Sequence, residues 1–416
     1  MPASARSLVR TLSLAVLLEW AGAGAILPLL PLWVRQRGGS DTVVGVVMAS
    51  YFAAAFVFQY GSGRVSDRLG RLPVLIGGLS VYAGASLLFL LPVPAVYDAI
   101  FRGLQGAGAG ASTVASLSMI SHAVPLSFRG RSSGRIYGAQ LGGLAIGPVL
   151  GSVAGVGAMR WLFVAGAAAA LGAAVWVMAT GTARQEGTSS TPTVRVAPEE
   201  GAAPVVGLHS DASATAADVA RQAVAGALLA SAAIGVATGV YEACWTLLMT
   251  RHGAAGWQVG VSWTLFAVPF AALSRPAGWL ADHFDRRVLA VGSLLWSVGF
   301  LATYPFLPGY VILMVLGVFE SFGFALTLPA CQSLLGEGTA PERHGHVQGL
   351  FAASQTGTTA LAAAAAGALF SVAPFVPFAI AAGCCTVLSI AVASIWRRVP
   401  GRVTHAVGPT LAAGDR

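Results

Sequence analysis

The sequence predicts an all-α integral membrane protein with twelve transmembrane helices arranged as two pseudo-symmetric six-helix bundles. Of its 416 residues, 56% are hydrophobic and only 10% are charged, whereas roughly 25% are charged in soluble domains. Apolar runs of about 20 residues, long enough to cross a bilayer, recur along nearly the whole chain. A single offset also aligns its first half with its second. Together these observations exclude a soluble globular fold.

Breaks at clusters of charge and proline divide the apolar runs into twelve predicted spans. In order they cover about residues 10–34, 43–63, 73–93, 96–120, 132–157, 161–180, 222–249, 258–280, 288–307, 310–335, 346–370 and 375–396. The first run follows Arg6 and Arg10, as in a cleavable signal, but it continues to Trp33 without a stop. We therefore predict an uncleaved first helix.

The basic residues predict how the spans are oriented. All 24 are arginine, and nineteen of them fall in the terminal segments and in the loops on one side. Arg35, Arg37, Arg160 and Arg251 fall on the other side, and Arg102 falls inside a span. Because positively charged loops stay in the cytoplasm, we predict a protein of the cytoplasmic membrane with both termini cytoplasmic. The net charge of +8 follows this topology, so we expect no nucleic-acid partner.

An internal repeat appears when the sequence is moved along itself by 215 residues. Gly63 then meets Gly278, Asp67 meets Asp282, Arg71 meets Arg286 and Gln140 meets Gln355. The aspartate, arginine and glutamine matches are more informative than glycine matches in a chain with 52 glycines. Parallel repeats of this kind place a binding site between the halves, near the middle of the bilayer.

The repeat and the composition predict four segments. Residues 1–180 form an N-terminal six-helix half, and residues 221–400 form a C-terminal six-helix half. Between them, residues 181–220 are rich in serine, threonine, proline and alanine and are predicted to be a cytoplasmic linker. Residues 401–416 are predicted to be a cytoplasmic tail.

Several catalytic and cofactor motifs are excluded. Without lysine the chain has no phosphate-binding loop ending in GK[ST]. The glycines from 106 to 110 follow no strand, and GRSSG at 130–134 lies in a short basic loop, so neither predicts a dinucleotide or nucleophile site. The four cysteines fall in predicted helices and are interpreted as packing residues. We predict that the chain is not an enzyme and holds no metal or cofactor.

The loop after the second span, GSGRVSDRLGRLPVL, resembles the loop between helices 2 and 3 of the major facilitator superfamily. The matching residues are Gly63, Asp67, Arg68, Gly70 and Arg71. In the second copy, GWLADHFDRRV, Asp282 and Arg286 match, whereas Asp285 stands where the family has glycine. The resemblance implies a twelve-helix transporter in which these residues latch the cytoplasmic gate.

Two further patterns extend the resemblance. FRGLQGAGAG in the fourth span is similar to the family's RxxQGxGxA, with Arg102 and Gln105 in place. The fifth span meets the spacing G-x8-G-x3-GP-x2-G with Gly134, Gly143, Gly147, Pro148 and Gly151. This pattern is typical of the superfamily's proton-coupled exporters and implies drug:proton antiport. The same spacing also has a purely structural interpretation, because small residues let transmembrane helices pack closely. We take this packing as the physical basis of the pattern.

Four ionisable residues are predicted at membrane depth: Arg102, Glu19, Glu242 and Glu320. Such groups cost about 2.5 to 3.5 kcal/mol at the bilayer centre, so a functional role is the default hypothesis. Burial disfavours a charged carboxylate and a nearby cation favours it, so such an acid can load and release protons. We predict that Glu19, with Glu320, exchanges protons, and that Arg102 with Gln105 sets its proton affinity. Asp98 precedes Arg102 by one helical turn and is a candidate partner for it.

The predicted function is export of a small amphiphilic molecule, such as a drug-like compound or metabolite, driven by protons and performed by a monomer in the lipid bilayer. One alternative is an importer or uniporter of the same fold for a sugar or organic anion. Another alternative is a membrane sensor that does not transport. The fifth-span pattern disfavours the importer, and the charges at membrane depth disfavour the sensor.

Overall fold

The computed structural model describes residues 1, 3–180, 210–339 and 343–399. Most of the predicted linker, up to residue 209, and the whole predicted tail at 401–416 lie outside these ranges. No strand occurs among the described residues. The all-α prediction is thereby confirmed.

The first half contains six long helices and one short one. They are α1 (Ala3–Ile26), α2 (Leu30–Gln36), α3 (Asp41–Leu69), α4 (Arg71–Leu88), α5 (Asp98–Ala123), α6 (Leu126–Ala154) and α7 (Met159–Ala179). The first predicted span, 10–34, is therefore divided between α1 and α2. The break falls at Pro28, which has no N–H for a helical hydrogen bond.

The second half contains α8 (Ser210–Arg251), α9 (Gly256–His283), α10 (Arg286–Thr303), α11 (Tyr310–Glu337), α12 (His344–Val372) and α13 (Val376–Ile395). Helix α8 begins inside the range 181–220 that was predicted to be linker. Short 3₁₀ turns at Ala95–Tyr97, Val156–Ala158, Tyr304–Phe306 and Trp396–Arg398 lie beside the helix ends.

Within the described ranges, 10 helices are long and apolar enough to cross a membrane. Helices α5 and α12 match the fourth and eleventh predicted spans but are not among these ten. Arg102 and Gln105 in α5, and Gln355 with its threonine neighbours in α12, lower their mean hydropathy. These two helices are therefore less apolar than the other ten long helices of the described ranges.

The helix bounds follow the repeat offset of 215 residues. Arg71–Leu88 of α4 corresponds to Arg286–Thr303 of α10 at both ends, and Asp41 of α3 corresponds to Gly256 of α9. The three pairs that follow differ by one to three residues at their ends, whereas the single helix α8 corresponds to α1 and α2 together. The two halves therefore share one order of helices.

Helix α6 packs closely against α1 through three of the glycines in the fifth-span pattern. A Cβ at Gly143 would lie 2.7 Å from the Ala21 nitrogen, and one at Gly151 would overlap the Ala25 carbonyl group. Gly147 faces the same segment of α1, whereas nothing lies within 4 Å of a Cβ at Gly134. The pattern thus lets two backbones touch over about two turns.

The short connections group the helix ends into two sets. The Asp41 end comprises the connections around residues 36–41, 88–98, 154–159, 251–256, 303–310 and 372–376, and the Arg71 end comprises those around 69–71, 123–126, 283–286 and 337–344.

The two halves meet at the Asp41 end. A Cβ at Gly45 of α3 would lie 2.7 Å from the Cα of Gly367 in α12. The Thr246 hydroxyl of α8 donates to the Pro28 carbonyl oxygen at 2.9 Å. Arg251 of α8 lies 3.8 Å from the Asp41 carboxylate. These contacts close the bundle at this end.

Gly151→Ala should lower the free energy of unfolding by about 1–3 kcal/mol, because the new Cβ overlaps backbone that cannot rotate away. Gly138→Ala, on the same helix with nothing within 4 Å, is the matched control and should be neutral or stabilising. Thermal unfolding of the purified chain in detergent measures both. Equal midpoints for the two variants would contradict this packing.

Candidate functional site

Arg102 lies in a polar cluster formed by α3, α4 and α5. It is 2% exposed, and Gln105 is fully buried. The Arg102 guanidinium donates to Gln105 Oε1 at 2.8 Å, and Gln105 Nε2 donates to Ser86 Oγ at 2.8 Å. The guanidinium carbon also lies 4.3 Å from the centre of the Tyr51 ring, a cation–π distance. The Gln105 amide and the Tyr51 ring therefore take the place of water around the Arg102 guanidinium.

Asp98 is not the partner of Arg102. It pairs with Arg37 at 2.8 Å, and Arg37 also donates to the carbonyl oxygens of Leu91 and Val93. Asp98 is fully buried at the start of α5. The pair therefore ties α2 to the α4–α5 connection at the Asp41 end.

Arg102 forms no ion pair with a carboxylate in the part of the chain that the structure describes. It interacts electrostatically with Glu242, a buried acid on α8 in the other half. Glu242 is 9% exposed, and its buried Oε2 atom has no hydrogen-bond partner among the described residues. The buried Arg102 Nε atom also has none. Two unpaired polar atoms of opposite charge thus lie on opposite halves.

Glu19 lies on α1 and contacts α5 at a different level from Arg102. It is 4% exposed, and its Oε1 atom accepts a hydrogen bond from Ser112 Oγ at 2.9 Å. Ser112 lies two helical turns beyond Gln105, on the same face of α5. One face of α5 therefore holds both the cation cluster and the partner of this acid.

Glu320 lies on α11 inside the second half. Its two oxygens accept hydrogen bonds from the hydroxyls of Tyr241, at 2.6 Å, and Tyr304, at 2.8 Å. Glu320 is 2% exposed, and Trp245 packs edge-on against both tyrosines. Arg102 contacts neither Glu19 nor Glu320 in the described hydrogen bonds and ion pairs. The predicted acids therefore occupy three separate environments.

Sequence reasoning named Gln105 beside Arg102 but missed the hydroxyl groups that bind Gln105, Glu19 and Glu320. Ser112 carried a usable signal, since its spacing from Gln105 puts both on one helical face. Ser86 and Tyr241 carried none beyond their place in a span. Tyr304 lies in a 3₁₀ turn after α10, where no pattern predicts a contact with an acid.

The predicted latch is described only in part. The structure does not describe the surroundings of Gly63, nor the side chains of Asp67 and Asp282. Gly70 joins α3 to α4 with φ of 88°, a left-handed conformation that favours glycine. Arg71 Nε donates to Ser118 Oγ at 3.0 Å, whereas Arg68 is exposed.

The second copy of this turn is built differently. Asp285 replaces the glycine and caps α10, accepting from the Arg287 backbone N–H at 2.9 Å. The Arg287 side chain also donates to Asp285, and these hydrogen bonds hold the pKa of Asp285 below its usual range. Arg286 is 3% exposed and donates to the Ala281 carbonyl oxygen at 2.9 Å. The repeat thus preserves the turn with a helix cap in place of a left-handed glycine.

Comparison with known proteins gives a family match over most of the chain. The model of the Major Facilitator Superfamily matches residues 12–250 and 223–412. The class E tetracycline resistance protein of Escherichia coli is 25% identical over 345 residues, which cover 80% of this chain and 81% of that protein.

Two other similarities are partial or remote. The inner membrane transport protein YajR of Escherichia coli (strain K12) is 30% identical over 151 residues, or 35% of this chain, and the chain matches 33% of the length of that relative. The crystal structure of a D-xylose-proton symporter aligns with a TM-score of 0.71 at 16% identity, covering 95% of this chain and 98% of that one. This structural likeness shows the shared fold alone.

Tyr241→Phe and Tyr304→Phe should each lower the free energy of unfolding by about 1–3 kcal/mol, because each leaves a buried carboxylate oxygen without its donor. Tyr137→Phe removes a hydroxyl from a side chain that is 52% exposed and should be neutral. Chemical or thermal unfolding in detergent measures the differences. If the losses persist undiminished in a Glu320→Gln background, the hydroxyls do not act through this carboxylate.

Proposed function

Because this chain belongs to the major facilitator superfamily of membrane transporters, we propose that it exports a small amphiphilic molecule in exchange for protons. The observation that carries this proposal is Glu19, a buried carboxylate bonded to α5 by the Ser112 hydroxyl. A membrane-embedded acid with a weak, uncharged partner can be neutralised by a proton at little structural cost.

The direction of transport is supported by α6. Its Gly-x3-Gly-Pro pattern resembles that of proton-coupled exporters, and Gly143, Gly147 and Gly151 press it against α1, which carries Glu19. Its neighbouring residue Ser152 contacts Gly260 of α9, in the other half. A change in the packing of α6 would therefore act both on the proton-carrying helix and on the contact between the halves.

The substrate is proposed to be a drug-like compound or a metabolite. The class E tetracycline resistance protein, similar over 80% of this chain, is named for resistance to tetracycline, a drug. We assign Arg102 and Glu242 to the substrate cavity, because each has a buried polar atom without a hydrogen-bond partner and the two charges interact across the halves. Glu320, with both oxygens occupied by tyrosines, is assigned as the second candidate for proton exchange.

Alternating access would proceed as follows. When the cavity faces outward, a proton neutralises Glu19 and lowers the affinity for the substrate. When it faces inward, substrate binding favours loss of that proton to the cytoplasm. Exchange requires only that proton and substrate compete for the same charge.

The membrane orientation is part of the proposal. We assign the Asp41 end to the outer side, because nineteen of the 24 arginines fall on the opposite side. The described structure, with its halves in contact at the Asp41 end, then corresponds to a state closed to the outside. Both termini would lie in the cytoplasm.

Glu19→Gln should abolish proton-driven uptake into inverted membrane vesicles, with a loss of at least about tenfold, because the amide cannot carry the proton. Asp218→Asn removes a carboxylate that is 67% exposed and is the matched control. A substrate-dependent pH change inside vesicles that carry an imposed gradient measures the exchange. Full proton-driven transport by both Glu19→Gln and Glu320→Gln would refute this assignment.

Expression in a transporter-deficient host should lower the accumulation of at least one class of amphiphilic compound, and a protonophore should restore it. Growth and accumulation across cationic, neutral and anionic compounds measure this effect. Higher accumulation would favour the importer, and no change for any compound would favour the sensor. Export that persists with the protonophore would show that transport is not driven by protons, but it would leave the proposed direction of transport unchanged.

A further inference from the structure

A groove outside the proposed transport cavity lies between the start of α1 and the end of α7, at the Arg71 end. Its volume is about 420 Å³. Arg6, Arg10, Ser7, Thr11 and Thr180 supply its polar lining. Neither the transport cavity nor the latch uses these residues.

The polar lining suits a phosphate group. Arg6 and Arg10 are one helical turn apart and therefore lie on the same face of α1. Both are exposed, and within the described ranges neither forms an ion pair or a hydrogen bond with the protein. Guanidinium groups bind phosphate through paired N–H donors, and no described carboxylate lines the groove. The cationic surface is thus left without a protein counter-ion.

The remaining lining is apolar. Leu14 and Trp176 complete the groove and are 39% and 44% exposed. Leu18, one turn deeper on α1, and Met178 on α7 are also exposed, at 37% and 48%. Leu14 lies within a helix apolar enough to cross the membrane, as does Trp176. Aromatic residues of this kind are enriched at the boundary between headgroups and hydrocarbon.

We propose that this groove binds an anionic phospholipid, with its phosphate on Arg6 and Arg10 and an acyl chain along Leu14 and Trp176. Free phosphate would use only the polar part and leave exposed apolar surface uncovered, whereas a lipid satisfies both parts. The groove opens on helices that border the bilayer, so a lipid reaches it by lateral diffusion. A lipid held there bridges α1, the helix of Glu19, to α7.

The test compares binding of phosphatidylglycerol, phosphatidylcholine and inorganic phosphate to the full purified chain by native mass spectrometry and by thermal stabilisation. The double variant Arg6→Gln/Arg10→Gln should weaken phosphatidylglycerol binding by roughly 25-fold, since each basic residue near an anionic lipid contributes roughly fivefold. Arg397→Gln/Arg398→Gln removes the same charge from two exposed arginines after α13, and should bind like the unchanged chain.

Two further variants separate the headgroup from the chain. Arg6→Lys/Arg10→Lys keeps the charge and loses the paired donors, so it should bind at an intermediate strength. Trp176→Ala should weaken phosphatidylglycerol binding without changing the response to inorganic phosphate.

Three results would overturn the proposal. Unchanged phosphatidylglycerol binding by Arg6→Gln/Arg10→Gln, or equal losses in both double variants, would show that these arginines form no specific site. Equal binding of phosphatidylcholine would show that the groove binds lipid through its apolar surface alone and does not recognise an anionic headgroup. Protection by inorganic phosphate at the same concentration as phosphatidylglycerol would assign the site to free phosphate. None of these results bears on proton-driven export, which the vesicle assay tests separately.

Discussion

The interior of a bilayer contains almost no water, so every polar group at that depth must find its partner within the protein. The described structure meets this constraint differently for three of the charges, whereas Glu242 Oε2 has no hydrogen-bond partner among the described residues. Arg102 is surrounded by an amide and an aromatic face, Glu19 has a serine hydroxyl, and Glu320 has two phenols. These contacts connect α1, α3, α4 and α5 in the first half, and α8, α11 and the turn after α10 in the second half.

Close contact between backbones makes those pairings possible. Gly106 of α5 leaves no room for a Cβ beside the Tyr51 carbonyl group, and Gly108 touches the backbone of α4 near Gly78. The short side chains of Ser86 and Ser112 reach Gln105 and Glu19 because the helices approach so closely. The polar contacts therefore depend on the close packing of the helices. A larger residue at either glycine would push the helices apart and would also break a hydrogen bond.

Much of the architecture could be predicted from the sequence, because hydropathy and the repeat act over tens of residues. The fold class, the positions of the long helices and the burial of Arg102, Glu19, Glu242 and Glu320 were predictable in this way. The pairings were not, because a hydrogen bond between two helices depends on their relative rotation. Asp98 illustrates this limit: its spacing favours Arg102, yet Arg37 from a neighbouring connection reaches it. The break at Pro28 likewise depends on local backbone geometry, which periodicity does not report.

The polar contacts that join the halves at the Asp41 end are individually weak. The bond from Thr246 to the Pro28 carbonyl is between neutral groups, and Arg251 meets Asp41 while 44% exposed. Contacts of these kinds contribute about 1 kcal/mol each. Their sum is comparable to the difference in binding energy that even a modest ligand gains between two conformations. Separating the halves at this end would therefore break only weak polar contacts, together with the close backbone contact of Gly45 with Gly367.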